Sequence, residues 1–200
     1  LTDGKVWEYD IANGTFRNYG AVEAGQQYVR GLGVDDQYIY AGMGTTLRLY
    51  KIDRVTGEKT EIYIPGYSGE TGFVQDVFVH NGKLFVSVST IKIVVIDIAT
   101  GELEAEFDYS NMISEPSPTD PNTIYFKYLT KFYKYNMATK ETTEIPLPFP
   151  LPDTTRTKDL SWITLKSGEK AGKTVLAMVT QYGEYILIDP DDLWTSFIEL

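Results

Sequence analysis

The sequence predicts an all-β protein built from one repeated strand unit, and three observations support this. Residues 82–107, GKLFVSVSTIKIVVIDIATGELEAEF, contain three short apolar or alternating runs separated by two tight turns. The middle run, 93–96, is apolar without polar alternation, which suits a strand covered on both faces. Similar segments recur along the chain. The composition, with 17 glycines, 15 tyrosines and 9 phenylalanines, is typical of short strands and many turns.

One acidic or amide residue before the second turn marks each repeat. Successive markers are 43, 44, 39 and 53 positions apart, and a strand-rich period of roughly 40–50 residues is the length of a β-propeller blade. A carboxylate or amide oxygen there can accept hydrogen bonds from backbone N–H groups two or three residues on. We therefore expect the markers to fix turns rather than to bind metal. They are Asp10, Asp53, Asp97, Asn136 and Asp189.

We predict one domain over residues 1–200, β-propeller-like, with four four-stranded blades after a leading half blade. The half blade supplies only third and fourth strands, around Asn13-Gly14, which favours a type I′ hairpin turn. Because the chain starts in mid-blade, we expect it to be a fragment of a larger propeller. The approximate units are 1–20 (half blade), 27–64, 73–107, 112–145 and 158–200.

Local signals locate the connections between and within these units. His80-Asn81-Gly82 is predicted as a solvated hairpin turn, and Pro116 and Pro118 weaken the first strand expected at 112–115. The alternating prolines of 146–152 favour a stiff, extended crossing between blades. Residues 166–172 are an insertion that we expect to form an exposed loop in the last unit.

The segment 82–107 resembles the repeats of quinoprotein-like and YVTN-type β-propellers, which have two apolar strands, D-x-x-T-G and a polar strand. This resemblance implies the propeller fold. Quinone-dependent dehydrogenases of this type use calcium and sometimes a vicinal cysteine pair, and this chain has no cysteine. We therefore expect no cofactor. A quinone-dependent dehydrogenase remains one functional hypothesis, beside a binding module and a carbohydrate-active enzyme.

Composition limits the partners. The net charge of −10 disfavours nucleic acid and anionic membranes as partners. No apolar run approaches the roughly 20 residues needed to span a bilayer. The absence of cysteine leaves the compartment open, and an extracellular or cell-surface bacterial location is slightly favoured over the cytoplasm. The exposed strand edges of a half blade also predict self-association.

Sequence motifs give little support to a catalytic site. The single histidine and the missing G-x-S-x-G elbow disfavour a Ser-His-Asp triad. There is no P-loop and no G-x-G-x-x-G opening a helix. Asp189, Asp191 and Asp192 are the best calcium candidate, but their spacing fits no EF-hand loop and turn capping is the alternative. We therefore name no catalytic residue and expect no metal site.

A ligand site is predicted from repeat geometry, because the first strand of each propeller blade lines a central channel. Superposing the units places Arg30, Gln75 and Glu115 at one equivalent position. A ring of such groups with aromatic residues could bind a polar ligand such as a sugar. An empty polar channel is the alternative. The predicted set is Tyr28, Arg30, Phe73, Gln75, Glu115, Asp159 and Trp162.

Two functions follow from this set. The first is a non-catalytic ligand- or protein-binding module of a larger, bacterial protein. The second is part of a carbohydrate-active enzyme, a polysaccharide lyase or glycosidase. A lyase needs a base beside a group that neutralises a uronate, and Tyr28 with Arg30 and Gln75 supplies that combination.

Overall fold

The computed structural model describes residues 3–89, 92–109, 111–153 and 157–198, and every regular element in these ranges is a β-strand. Residues 1–2, 90–91 and 199–200, which belong to three predicted units, lie outside the described residues. The strands are β1 (Lys5–Asp10), β2 (Thr15–Ala21), β3 (Tyr28–Val34), β4 (Tyr38–Thr46), β5 (Leu49–Asp53), β6 (Lys59–Ile62), β7 (Thr71–His80), β8 (Lys83–Val88), β9 (Lys92–Asp97), β10 (Leu103–Asp108), β11 (Thr123–Tyr128), β12 (Lys131–Asn136), β13 (Glu141–Ile145), β14 (Thr157–Thr164), β15 (Thr174–Thr180), β16 (Tyr185–Asp189) and β17 (Trp194–Ile198).

The chain divides into two compact units, Leu1–Phe107 and Asp108–Leu200. In the first unit β1 and β2 form a two-stranded sheet, whereas β3–β6 and β7–β10 each form an antiparallel meander of four strands. A short pairing between β4 and β7 joins the two meanders, from Gly44 opposite Phe73 to Thr46 opposite Thr71. The all-β, four-stranded organisation predicted from the repeat is confirmed.

Apolar side chains from neighbouring sheets of the first unit form its core. Tyr40 and Leu49 of one meander pack with Leu84, Val94 and Ile96 of the next. The run 93–96 is fully buried, with 0 % of each residue exposed, so the predicted double coverage of this strand is confirmed. Burying such a strand stabilises the fold by roughly 1.5–3 kcal/mol for each large apolar side chain.

A second cluster attaches the β1–β2 hairpin to the β3–β6 meander. Val6, Tyr19 and Val22 pack against Ile39 and Met43, among others. Only one face of the hairpin takes part in this contact, since successive side chains of a strand point to opposite faces.

The second unit contains a three-stranded sheet, β11–β13, and a four-stranded sheet, β14–β17. The first strand predicted at 112–115 is reduced to one bridge between Ile113 and Phe126. Pro116 and Pro118, which lack N–H donors, follow at once and prevent a longer ladder. The core of this unit includes Phe132, Leu176 and Ile188.

The marker residues fix turns as predicted. The Asp97 carboxylate accepts hydrogen bonds from the N–H groups of Ala99 and Thr100 at 2.9 and 2.8 Å. Asp53 and Asp189 do the same in their repeats. The amide oxygen of Asn136 accepts the equivalent pair, both at 3.0 Å, without a charge.

Two local predictions are wrong. The β1–β2 turn is not the predicted type I′ turn, which needs two residues with positive φ, since only Gly14 has one, of 67°. The turn contains four residues, 11–14, and the Asp10 carboxylate accepts a hydrogen bond from the Asn13 backbone N–H at 3.0 Å. His80 is buried, with 8 % exposed, rather than solvated. It pairs with Lys83 as the last residue of β7, and its ring centroid lies 5.8 Å from that of Phe85.

We expect Val95→Asp to abolish folding, because Val95 is 0 % exposed and a carboxylate there would be buried without a partner. The loss should exceed about 4 kcal/mol. Val55→Asp is the matched control, since Val55 is 80 % exposed. Thermal unfolding followed by circular dichroism distinguishes the two. A Val95→Asp protein that melts within a few degrees of the parent would contradict the packing described here.

Asp97→Asn should lower stability at neutral pH and have no effect in strong acid. The hydrogen bond from the Lys83 ammonium lowers the pKa of Asp97 to about 2, while an unfolded aspartate titrates at about 3.9. A lowered folded-state pKa contributes stability above the unfolded pKa, and this is lost as the pH falls towards 2. The asparagine retains the turn oxygen, as at Asn136.

Melting temperatures of parent and Asp97→Asn proteins, measured from about pH 7 to about pH 2, provide the test. The difference in melting temperature between the two proteins should narrow as the pH falls from about 3.9, the pKa of an unfolded aspartate, to about 2, the pKa of Asp97 in the folded protein. A gap of constant size would show that the Lys83–Asp97 ion pair does not stabilise the fold.

Candidate functional site

The seven predicted site residues fall into two groups, one in each compact unit. Tyr28, Arg30, Phe73 and Gln75 belong to the first unit, and Glu115, Asp159 and Trp162 belong to the second. Each group has its own geometry. That Arg30, Gln75 and Glu115 share one central space stays a prediction.

In the first group an arginine lies on two aromatic rings. The Arg30 guanidinium carbon is 4.5 Å from the centre of the Phe73 ring and 5.9 Å from that of Tyr28. The two rings meet edge to face, with centroids 6.2 Å apart and planes at 74°. Arg30 Nη1 also donates a long hydrogen bond, 3.4 Å, to Gln75 Oε1. Four of the seven predicted site residues are thus in contact.

The electrostatic setting of Arg30 differs from that of Arg48 and Arg54 in the same unit. Arg48 pairs with Glu23 at 2.7 Å, and Arg54 pairs with Glu8. Among the described residues, no carboxylate lies within ion-pair distance of Arg30, and its side chain is exposed. A guanidinium held by rings retains free N–H donors in a planar fork that matches a carboxylate.

Two β-bulges explain why these side chains meet. The register of β3 with β4 shifts between Val29 and Gly31, so Arg30 is the extra residue. The register of β7 with β8 shifts between Val74 and Val77, and Gln75 lies in that irregularity. Bulges re-aim side chains, which directs Arg30 and Gln75 towards each other.

Gly31 allows the two bulges to approach. A Cβ built on Gly31 would lie 2.8 Å from the Asp76 Cα, closer than real contacts allow. Because the obstacle is backbone, it cannot rotate aside. The sequence reasoning did not identify Gly31 or the bulges; an apolar strand interrupted by Gly31 and Gly33 was the available signal.

In the second group Trp162 has a structural contact. Its indole Nε1 donates to the Glu115 backbone oxygen at 3.0 Å, and its ring meets that of Tyr125 at 5.7 Å and 78°. Asp159 is exposed and accepts a hydrogen bond from Ser161 Oγ at 2.7 Å. This group therefore contains two exposed acidic residues, Glu115 and Asp159, and a tryptophan that is already engaged.

A further cleft was not identified from the sequence. It has a volume of about 330 Å³ and lies between the β3–β6 meander and the turn that Asp97 fixes. The Lys51 ammonium is 5.0 Å from the Tyr38 ring centre at its wall. In the sequence, the alternate tyrosines Tyr38 and Tyr40 were the signal that one face of β4 is aromatic. The lining includes Tyr38, Tyr40, Lys51, Ile62, Tyr63 and Thr100.

Among the described residues of the second unit, Lys127 is the most buried cation, with 1 % exposed. Burial lowers the pKa of its ammonium, and the charges of Asp153 and Glu184 oppose that shift. It lies in β11, where the sequence indicated only a strand. Its burial makes it a structural part of the β11–β13 sheet.

Within the described ranges, no group of three histidine, cysteine, aspartate or glutamate side chains is placed to hold a metal ion. In the same ranges, no helix has the length and apolar character that crossing a membrane requires.

Gly31→Ala should destabilise the protein and separate Arg30 from Gln75, because the added methyl group forces β3 away from β7. Overpacking of this kind costs about 1–3 kcal/mol. Leu32→Ala is the control: Leu32 is 55 % exposed on the opposite face of β3, so the change should stay within about 0.5 kcal/mol. Urea unfolding measures both, and equal stability of the two variants would contradict the close approach.

No protein-family model matches the chain, and no curated protein matches it. Solved β-propellers do match. A chain of the mitotic checkpoint complex aligns with a TM-score of 0.66 at 12 % identity, covering 99 % of this chain and 58 % of that chain. BamB from Moraxella catarrhalis aligns with a TM-score of 0.62 at 15 % identity, covering 100 % and 56 %. At these identities the likeness shows the fold alone: the chain has a β-propeller fold and spans just over half the length of the propeller chains that it matches.

Proposed function

We propose that the chain is a non-catalytic binding module that presents Arg30 to a polar ligand carrying a carboxylate. The observation that supports this is the Arg30 guanidinium, held on the rings of Phe73 and Tyr28 without a carboxylate partner among the described residues. Since a propeller is a scaffold for many functions, the proposal rests on this side-chain cluster and not on the fold.

The chemistry of the cluster suits an acidic sugar. The Arg30 fork can donate two parallel hydrogen bonds to a uronate carboxylate. The Gln75 amide can donate to a hydroxyl, because its oxygen already faces Arg30. Tyr28 is 40 % exposed and offers a ring to the apolar face of a sugar. A uronate-containing carbohydrate combines all three features.

The chain is proposed to work as part of a larger protein. Each matched propeller chain is longer, with 58 % and 56 % of its length aligned. A module of this kind contributes a binding surface to an assembly and needs no reaction of its own.

A polysaccharide lyase is the second candidate, favoured by one observation. The Tyr28 ring lies beside the Arg30 guanidinium, so a tyrosine base and a group that neutralises a uronate are neighbours. Such a lyase would remove the proton next to the carboxylate, break the C–O bond of the glycosidic linkage at the neighbouring carbon, and release an unsaturated product and a protonated sugar hydroxyl.

Binding of an oligogalacturonate, followed by isothermal titration calorimetry at low salt, tests the module. Arg30→Gln should weaken binding about 10-fold or more, because charge-assisted hydrogen bonds contribute about 1.5–3 kcal/mol. Lys51→Gln is the matched control, since it removes another cation that lies over a tyrosine ring. A neutral oligosaccharide of equal length should bind more weakly to the parent. Unchanged affinity of Arg30→Gln would refute the site.

Ultraviolet absorbance of the same mixtures distinguishes the two candidates. The module predicts no unsaturated product with any uronate polymer, whereas the lyase predicts an absorbance increase that Tyr28→Phe abolishes. An increase that persists in Tyr28→Phe would contradict both the non-catalytic module and the assignment of Tyr28 as the base.

A further inference from the structure

The β1–β2 sheet has an open strand edge next to a complete meander. In the described part of the chain, β1 pairs with β2 alone, while β3–β6 and β7–β10 each contain four strands. The far edge of β1 therefore presents backbone donors and acceptors along residues 5–10. Such an edge is a template for pairing with another strand.

One face of this hairpin is apolar and uncovered. Trp7, Tyr9 and Phe16 are 51 %, 52 % and 72 % exposed. They share a face, since Tyr9 lies opposite Phe16 and the two ring centroids are 4.6 Å apart. The other face carries Val6 and Tyr19 into the core. Three exposed aromatic residues on one small sheet form an apolar patch typical of an interaction surface.

The adjacent strand β3 shows the same asymmetry. Gly31 and Gly33 are buried against β7, where their missing side chains allow close approach. On the opposite face Leu32 and Val34 are 55 % and 58 % exposed. The innermost strand of this meander is thus covered on one side only.

The two uncovered regions meet at one cleft of about 330 Å³, which runs between β1 and β3. Trp7 also borders a second cleft of about 490 Å³, which no residue of β3 lines. The first is lined by Val6, Trp7, Glu8, Leu32, Gly33, Val34, Ile39 and Arg54. Free backbone groups on one wall and apolar side chains on the other are what an added strand of alternating sequence requires.

We propose that this surface docks an antiparallel pair of β-strands belonging to the same propeller, in chain additional to these 200 residues. One strand pairs with the free edge of β1, and its apolar side chains cover Leu32 and Val34. The result is a four-stranded blade equivalent to β7–β10. The length of the matched propellers supports this source, because 42–44 % of each lies outside the alignment.

A second copy of this chain is a poor occupant. The β1–β2 hairpin of any copy carries its own β3–β6 meander on the Val6 face. A two-fold pairing of β1 with β1 would bring both meanders to the same side of the joint sheet. They would then compete for the space over Leu32 and Val34.

A fusion protein tests the proposal directly. Residues 71–88, the inner strand pair of the β7–β10 meander, are copied and joined to residue 1 through a short Gly-Ser linker. We expect a monomer whose melting temperature is higher than that of the parent by roughly 4 °C or more. The backbone amides of β1 should also exchange with deuterium more slowly than in the parent.

Matched variants assign the effect to the cleft. Leu32→Asp in the fusion should remove the stabilisation, whereas Leu103→Asp should keep it, because Leu103 is a leucine of similar exposure, 46 %, on another sheet. If Leu32→Asp does not fold, Val34→Asp replaces it in the same test. A fusion that melts and exchanges like the parent would overturn the proposal. So would a dimer of the unfused chain, detected by light scattering, that Leu32→Asp dissociates and Leu103→Asp does not.

Discussion

Face-to-face packing of sheets that are apolar on both sides is the constraint on which the rest of the first unit depends. A β-sheet whose two faces are both apolar cannot leave either face in water without losing the free energy of burial. The run 93–96 of β9 meets this requirement, with every side chain fully buried. The repeat of about 40 residues provides such sheets one after another. The uncovered faces of β1 and β3 are the departure from this rule.

The marker residues and the bulges act in different strands: the markers Asp53 and Asp97 end the third strand of each meander, and the bulges lie within the first. The marker turns are regular, because one side-chain oxygen and two N–H groups fix them whether the residue is Asp97 or Asn136. The bulges at Arg30 and Gln75 are irregular, and they direct polar groups away from the packed faces. Repetition therefore builds the scaffold, while local departures from it build the candidate site.

The fold was predictable because its signals are local and repeated. Turn chemistry and apolar strand runs need no knowledge of distant contacts. The errors occurred where a neighbour decides the outcome. The Asp10 side chain lengthened the first turn, and pairing with Lys83 buried His80. Superposing the repeats assigned equivalent positions to Arg30 and Gln75, and to Tyr28 and Phe73. The contact geometry of these four residues did not follow from it, because a bulge shifts one residue and leaves the composition of the strand unchanged.

Hydrogen–deuterium exchange of the 200-residue chain at low protein concentration tests the central claim most directly. Amide exchange reports local opening, and exposed edges exchange quickly while buried strands are protected up to the global unfolding free energy. The account predicts rapid exchange of the amides of β1 that do not bond to β2, together with slow exchange along β9, which pairs with both β8 and β10. Equal, strong protection of β1 and β9 in a monomeric protein would show that the β1 edge is already paired, which contradicts the account.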